Sequence, residues 1–519
     1  MVKLSKQVVD SVPMESSADS LTRGADVHRF PPLVIYHCLR DGQQELIDAT
    51  KSAYRQGRHV QTETLTAPRR GFGPRPVSIS APIDRLMYNA LVQLVAEDIP
   101  DTVRTEETWK KYESVSGELV DGGGRGYLVE FDIASCYEYI EHVDLREELV
   151  LRSLKVSESL ALEEVLGALA GRSRGLPQLS AMSDRLADVY LSIMERELLR
   201  SGVDVARYAD DFRAVAPSWG VANQTIEIAA EAARRLGLVL STEKTTILRE
   251  STVGQQRADM RDFLNRMIGD GDVDNDDFPW LDRYGEESDE EEESESDDSD
   301  GRDSDSDDEE KGKNDLEGLA WSILREWSSK EIESSQRALA GSFVGFAINT
   351  LRNATDRIPD DILSDSVFSS PLSLELVCRY LWVRSHETHQ NWTTLRELTE
   401  MQRQSPWAKI WLLHAVRTLS ESSGEDFDEV RSWTLEQLKD RHEVVRCLAS
   451  WALANRNGGD VLETLPELYG LASSLTRPAL AAAAGRGGVD KSNATVRAII
   501  ADSRLSKVAY EWGQRGRGQ

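Results

Sequence analysis

Four cysteines serve 519 residues, and Cys38, Cys136, Cys378 and Cys447 show no CxxC spacing. Thiols this scattered argue against a zinc site or a disulfide framework and fit a reducing compartment. Long apolar runs are missing too. None approaches the ~20 residues that cross a bilayer, and Met1 to Asp10 lacks the apolar core of a signal peptide. These absences predict a cytoplasmic protein with no membrane partner. Positive charge is scarce as well: 61 Lys and Arg stand against 90 Asp and Glu, a net charge of −29. Spread evenly, that balance would exclude a nucleic-acid partner. It is not spread evenly. Residues 285–310 hold 17 acids and one arginine, so this tract carries −16 and the rest of the chain −13. From Arg55 to Arg85, six arginines face only Glu63 and Asp84. A local basic surface, not the global sum, is what meets phosphates.

What is present is ample apolar material, 40% of the residues, in a chain long enough for two or three domains. Its centre is Arg207-Tyr208-Ala209-Asp210-Asp211-Phe212-Arg213, a turn between apolar runs. Adjacent carboxylates raise each other's pKa unless a cation sits between them, and oxygen ligands suit a divalent metal. Asp-Asp pairs are also common in solvated turns, so the surrounding chain decides.

The pattern reads in order as follows. Pro31 to Arg58 has helical spacing. Thr64 to Ile79 reads as two short strands around an Arg-rich Gly/Pro turn, a hairpin able to fold over a triphosphate or simply to be solvated. Ala81 to Ala96 is an amphipathic helix. Tyr127 onward is a strand that delivers Asp132 at its end. Gly175-Leu176-Pro177-Gln178 is a turn, and Ser180 to Leu198 a helix with an apolar face. Strand Phe212 to Ala216, helix Ala222 to Leu236 and the run Gly237 to Lys244 follow. The order over residues 127–248 is β–α–β–β–α–β, the ferredoxin-like order with the Asp-Asp turn on its central hairpin.

These residues resemble the fingers and palm of reverse transcriptases. Phe131-Asp132-Ile133 with Tyr137 is similar to the family's first catalytic-aspartate motif. Gly175-Leu176-Pro177-Gln178 with Ser183 and Leu186 to Leu191 resembles its template- and nucleotide-positioning motif. Tyr208-Ala209-Asp210-Asp211 resembles the Y-x-D-D box, Leu236 to Leu240 with Lys244 the next motif, and Arg75-Pro76-Val77 with Asp84-Arg85 the fingers element. Five matches stand in the correct order. One departure is Leu179, where relatives usually carry Gly. The resemblance implies an RNA-directed DNA polymerase that adds dNTPs by phosphoryl transfer with two Mg²⁺ ions about 3.5–4 Å apart, Mn²⁺ being a substitute.

On that basis Asp132, Asp210, Asp211 and Lys244 are the expected catalytic residues. Asp132, the backbone carbonyl of Ile133, Asp210 and Asp211 are the expected metal ligands. Arg75 and Arg70, with Arg69 sharing the task, would bind the triphosphate. Gln178 would contact the nucleotide, and Tyr137 would exclude a 2′-hydroxyl. The expected partners are dNTPs and nucleic acid, either an RNA template or nascent DNA, with self-association through the C-terminal half.

Residues 285–311 hold no aliphatic or aromatic side chain and are expected to be disordered. They read as a solvated linker or, alternatively, as a DNA mimic over the basic groove. From Asp315 on, packed helices are expected, with eight of the twelve tryptophans between Trp321 and Trp451. Units starting at Leu374, Trp407, Glu443 and Arg477 recur about every 33–36 residues, which suggests HEAT-like pairs in a solenoid. Arg384 and His389 fit the R-x4-H of HEPN ribonucleases, a short pattern.

The fold class read from the chain is therefore α+β: reverse-transcriptase fingers and a ferredoxin-like palm, then an all-α repeat domain. The expected boundaries are 1–28 flexible arm, 29–125 fingers, 126–250 palm, 251–314 connector, 315–505 helical repeats and 506–519 basic flexible tail. This arrangement is similar to bacterial abortive-infection and related defence reverse transcriptases. It leaves open template-independent, protein-primed synthesis, and a non-catalytic RNA- or protein-binding scaffold as the rival.

Overall fold

The structure is a computed structural model that describes residues 1–24, 28–69, 73–97, 99, 104–121, 126–268, 306–329, 334–402, 404–456 and 458–515. Arg70 and residues 285–305 of the acidic tract lie outside the described residues. Strands β1 (Thr62–Pro68) and β2 (Pro74–Ser80) form an antiparallel hairpin. A second sheet holds β3 (Tyr127–Asp132), β4 (Ala206–Tyr208), β5 (Asp211–Ala216) and β6 (Thr246–Arg249), in the spatial order β4-β5-β3-β6. Every neighbouring pair in it is antiparallel. This is the expected ferredoxin-like sheet, with the oldest signal in the sequence, period-two burial, at its centre. Phe212, Ala214 and Ala216 point inward from β5 while the residues between them are half-buried or exposed. Helices Ala181–Arg200 and Trp219–Arg235 pack together beneath the sheet. The run Gly237 to Leu240, expected to close the β–α–β–β–α–β order, makes only a bridge from Leu240 to Ile133, and the fourth strand comes later, at β6.

The N-terminal residues correct the expectation of a flexible arm. Lys6–Ser11 and Met14–Arg23 are helices, and Val8, Val9, Met14, Ala18 and Leu21 are buried. Met14, Ala18 and Leu21 stand at i, i+4 and i+7, so a narrow apolar stripe was hidden in polar composition. Asp84 is the hub that joins this region to the hairpin. It is fully buried and accepts from Arg58 at 2.9 and 2.8 Å, Tyr54 at 3.1 Å and the Gln61 backbone at 2.9 Å.

The C-terminal half is the expected helical stack. Ser373–Val383, Pro406–Thr418, Glu443–Ala454, Arg477–Arg486 and Arg504–Arg515 pack each on the next. Asp360–Ser369, Thr388–Glu400 and Glu425–Gln437 form a second layer. Most tryptophans serve this core, with Trp392 and Trp407 fully buried. Two boundaries move. Helix Ser306–Ser328 begins inside the tract expected to lack structure over 285–311, and an acidic sequence does favour a helix start. Within the expected connector, Glu250–Ile268 is also helical. The tail is corrected too: Arg504–Arg515 is a helix with Leu505, Ala509 and Tyr510 buried at i, i+4 and i+5. It returns to the N-terminal region, where Arg515 pairs with Asp41 at 2.6 Å and Trp512 meets His37 edge-on at 5.3 Å. Among the described residues no helix is long and apolar enough to cross a membrane.

Glycine permits the last helix crossing. A Cβ on Gly513 would lie 2.2 Å from the Ala482 carbonyl oxygen, and one on Gly485 would lie 2.1 Å from that of Tyr510. Backbone atoms cannot yield as a side-chain tip can. Gly513→Ala is expected to destabilise the helical stack by roughly 1–3 kcal/mol, the usual cost of overpacking. Chemical denaturation followed by circular dichroism checks this, and an unshifted midpoint would contradict it.

Candidate active site

The tight link between β4 and β5 consists of Ala209 and Asp210, since Tyr208 and Asp211 already pair across the hairpin. Ala209 takes φ 51°, a left-handed conformation that costs an L-residue energy. The turn is held from beneath by Arg207, which is buried and donates to the Ala209 carbonyl at 2.9 Å and to Asp188 at 3.3 Å. In the β3–β5 register Asp132 faces Asp211, with Phe131 stacked on Phe212 at 5.0 Å one position back. Asp132 itself is 5% exposed. Its backbone carbonyl accepts from Ser241 at 2.7 Å, which pins the end of β3 to the run that leads to Lys244.

These constraints bring carboxylate oxygens of Asp132, Asp210 and Asp211 within 4.8 Å of one another. The Lys244 ammonium lies 3.4 Å from Asp132 and 3.8 Å from Asp211. Three carboxylates against one ammonium, with oxygen donors only, fit a hard divalent cation. Ile133 lines the same cavity. Of the sequence-predicted residues, Asp132, Ile133, Asp210, Asp211, Lys244, Arg75, Arg69, Tyr137 and Gln178 all line a cavity of about 700 Å³.

The same lining also carries basic groups: Arg29, Arg69, Arg75, Arg104 and Arg185. Arg75 stands on β2 opposite Ala67. Burial lowers its pKa, and the neighbouring Arg29 and Arg69 add repulsion. Tyr137 is fixed at its hydroxyl, which donates to Asp184 at 2.5 Å and accepts from Arg104 at 2.9 Å. Burial, then the Asp184 charge, pushes that hydroxyl well above its ordinary pKa. Burial would raise the Asp184 carboxyl. Hydrogen bonding from His28 outweighs it, together with the Arg104 charge and the Tyr137 hydrogen bond, and holds the carboxyl below its usual range. Leu179 adopts φ 58°, so this chain keeps at Leu179 the left-handed backbone that glycine takes easily.

Sequence reasoning missed Arg29, His28, Arg104 and Asp184. Asp184 and Asp188 were detectable as acids four apart on the apolar face of helix Ala181–Arg200, where a polar pair needs partners. Arg104 and His28 lie in stretches with no periodicity and gave no signal. The Arg384–His389 pattern has a structural use instead. Arg384 is buried and binds the Ala354 carbonyl at 2.5 Å and Glu387 at 2.6 Å, while His389 is exposed.

The family model described as reverse transcriptase (RNA-dependent DNA polymerase) matches residues 68–270. The chain carries a reverse transcriptase domain. The matched span runs from the end of β1 past β6 and includes all three clustered aspartates, so this is a polymerase domain of the RNA-directed DNA type. No curated protein matches the chain. Among solved structures, apo telomerase from Candida tropicalis is similar at 11% identity and TM-score 0.32, over 68% of each chain. Telomerase from Candida albicans with a TWJ fragment of telomeric RNA gives 11% and 0.29, over 76% of this chain and 64% of that one. The corresponding Candida tropicalis complex gives 12% and 0.29, over 76% and 68%. TM-scores of this size leave the argument to the family match and the site itself.

The Asp184 carboxyl supplies a pH dependence to this reverse transcriptase domain. Its folded pKa lies below the unfolded one, so its contribution to stability is complete above the unfolded value of ~3.9 and is lost as pH falls through the folded value. The stability advantage of the wild type over Asp184→Asn is expected to be largest at neutral pH and to shrink on acidification below that value. Urea denaturation of both proteins across pH checks the direction, and a constant difference would remove Asp184 from the network.

Proposed function

We propose that the chain is an active deoxynucleotide polymerase working at Asp132, Asp210 and Asp211. The observation that carries the reading is that these three clustered acids and several arginines line one cavity. Asp132 and Asp210 would hold both divalent ions, Asp211 the primer-side ion, and the Ile133 carbonyl would assist. Bound there, Mg²⁺, or Mn²⁺ in its place, would supply charge neutralisation for the phosphoryl transfer. The primer 3′-hydroxyl gives up its proton to solvent as its oxygen bonds to the α-phosphorus of the dNTP, the bond from that phosphorus to the oxygen bridging the β-phosphate breaks, and pyrophosphate departs. Arg75 and Arg69 present planar guanidinium forks that suit the phosphate oxygens of the bound nucleotide. The flexible stem of Lys244 lets its ammonium move from the carboxylates toward the pyrophosphate, to neutralise or protonate it.

Gln178 contacts the nucleotide beside Tyr137. With the Tyr137 hydroxyl anchored at Asp184 and Arg104, the ring is stiff enough to refuse a 2′-hydroxyl. An RNA template fits the family, and the Leu179 backbone supports templated copying because the side chain packs against the core. The helical stack after the palm, together with the resemblance to defence reverse transcriptases, supports a role in antiphage defence. Self-association through that stack belongs to the same reading.

Purified protein given Mg²⁺ and labelled dNTPs is expected to make DNA, with RNase abolishing the product. Product that survives RNase would favour untemplated synthesis, and label fixed to the protein would identify protein priming. Asp210→Asn is expected to reduce incorporation to background with an unchanged circular dichroism spectrum. Normal incorporation by that variant would overturn the metal assignment. Tyr137→Ala is expected to raise ribonucleotide use by about a hundredfold, the scale of discrimination that one steric group supplies. Competition assays with rNTPs and dNTPs read this ratio, and unchanged selectivity would remove Tyr137 from the gate.

A further inference from the structure

Part of the cavity wall belongs to neither the palm nor the hairpin. Leu372 reaches it from the start of helix Ser373–Val383, and Arg29 reaches it from the segment after the N-terminal helices. Arg29 is held at its backbone. Its carbonyl accepts the indole N–H of Trp407 at 2.6 Å and that of Trp411 at 3.1 Å. Both tryptophans are buried in helix Pro406–Thr418 of the stack. The residue takes φ 58°, so two donors stabilise a conformation that the backbone does not prefer. One residue earlier, the His28 N–H donates to the Leu179 carbonyl at 3.1 Å, and its imidazole lies 3.3 Å from Asp184. The dipeptide is therefore fastened to the helical stack on one side and to the nucleotide-positioning turn on the other.

Arg29 lines the cavity with Arg69, Arg75 and the three aspartates, and its charge lies close enough to Arg75 to act on it, as does that of Arg69. Three guanidinium groups gathered in a cleft repel one another unless an anion joins them. The span between such a cluster and a metal-binding acid triad suits a polyphosphate, whose α end meets the metal and whose far end meets the cations.

We propose that Arg29 is a further binding residue for the nucleotide polyphosphate, and that Trp407 and Trp411 are positioning residues that set it through its carbonyl. This rests on the deoxynucleotide-polymerase reading above. It makes the helical stack part of the nucleotide site.

The test compares full-length wild type, Arg29→Ala, Arg29→Lys, the pair Trp407→Phe/Trp411→Phe, and the triple variant. Four quantities are measured for each: KM and kcat for single-dNTP incorporation, the Kd for inorganic triphosphate and the Kd for a primer–template duplex. Loss of one charge-assisted contact corresponds to about a tenfold change. Arg29→Ala is expected to raise both KM and triphosphate Kd by about that factor with kcat little changed. Arg29→Lys should recover part of the loss. The tryptophan pair loses its donors and trims each indole to a single aromatic ring, so it should raise KM in the wild-type background and add nothing once Arg29 is Ala. Should that pair unfold, the single variants carry the same comparison.

Incorporation with unchanged KM and Kd in Arg29→Ala overturns the inference and leaves the polymerase reading intact. A weakened primer–template Kd in place of a raised KM also overturns it, and assigns Arg29 to nucleic-acid phosphate. A full tryptophan effect in the Arg29→Ala background overturns the positioning role. Arg29-dependent triphosphate binding without any incorporation removes the polymerase reading and keeps the polyphosphate site. No triphosphate binding by a wild type that still incorporates dNTPs overturns the inference alone, and neither binding nor incorporation removes both.

Discussion

Three carboxylates with oxygens inside 4.8 Å are the constraint on which the rest of this structure depends. Like charges this close repel one another, and Asp132, being buried, has little water to screen it. The fold meets that cost by rigidity. Two strands fix Asp132 against Asp211, a hydrogen-bonded guanidinium fixes the turn at Asp210, and Lys244 supplies one positive charge from a separate loop. A one-residue slip between β3 and β5 would turn Asp132 to the other face of the sheet, so the Phe131–Phe212 stack that pins the register also protects the site.

The second pole is the arginine wall, and its supports lie outside the sheet. The β1–β2 hairpin carrying Arg69 and Arg75 is docked on the helical stack through Glu63. That carboxylate accepts the free N–H groups of Glu443 at 3.0 Å and Val444 at 2.9 Å, where a helix begins. Arg58, which binds Asp84, also reaches Ser474 of the stack at 2.8 Å. A helical domain attached only as a neighbour would not need a carboxylate on its helix terminus and a guanidinium in its side. These contacts fasten the hairpin that carries Arg69 and Arg75 to the helical stack.

How much of this was legible follows from where the information sits. Strand β3, the Asp-Asp turn and the helix units at Leu374, Trp407, Glu443 and Arg477 were readable because period and spacing are local properties of a sequence. The chain ends were misread because polar composition masked stripes such as Met14, Ala18 and Leu21, whose partners lie far away. The acid triad was readable because two of its members are adjacent and the third ends a strand. The supports of Tyr137 were not: Arg104 and Asp184 are 80 residues apart in the sequence. They meet only when the helix after the Gly175 turn packs under the sheet.

Backbone strain draws the same outline of the site by an independent route. Among the described residues, five without a glycine side chain have positive φ: Arg29, Ser135, Leu154, Leu179 and Ala209. All but Leu154 line the one cavity. Such conformations persist only where the surroundings over-determine them. Each of the four has its carbonyl engaged: Arg29 by two indoles, Ser135 by the Glu138 N–H, Leu179 by the His28 N–H and Ala209 by Arg207. Stability alone would place glycine at such positions, as it does at Gly171, Gly202 and Gly237 on the surface turns. Side chains retained there at a cost, around three crowded acids, set the lining of this cavity apart from the surface turns.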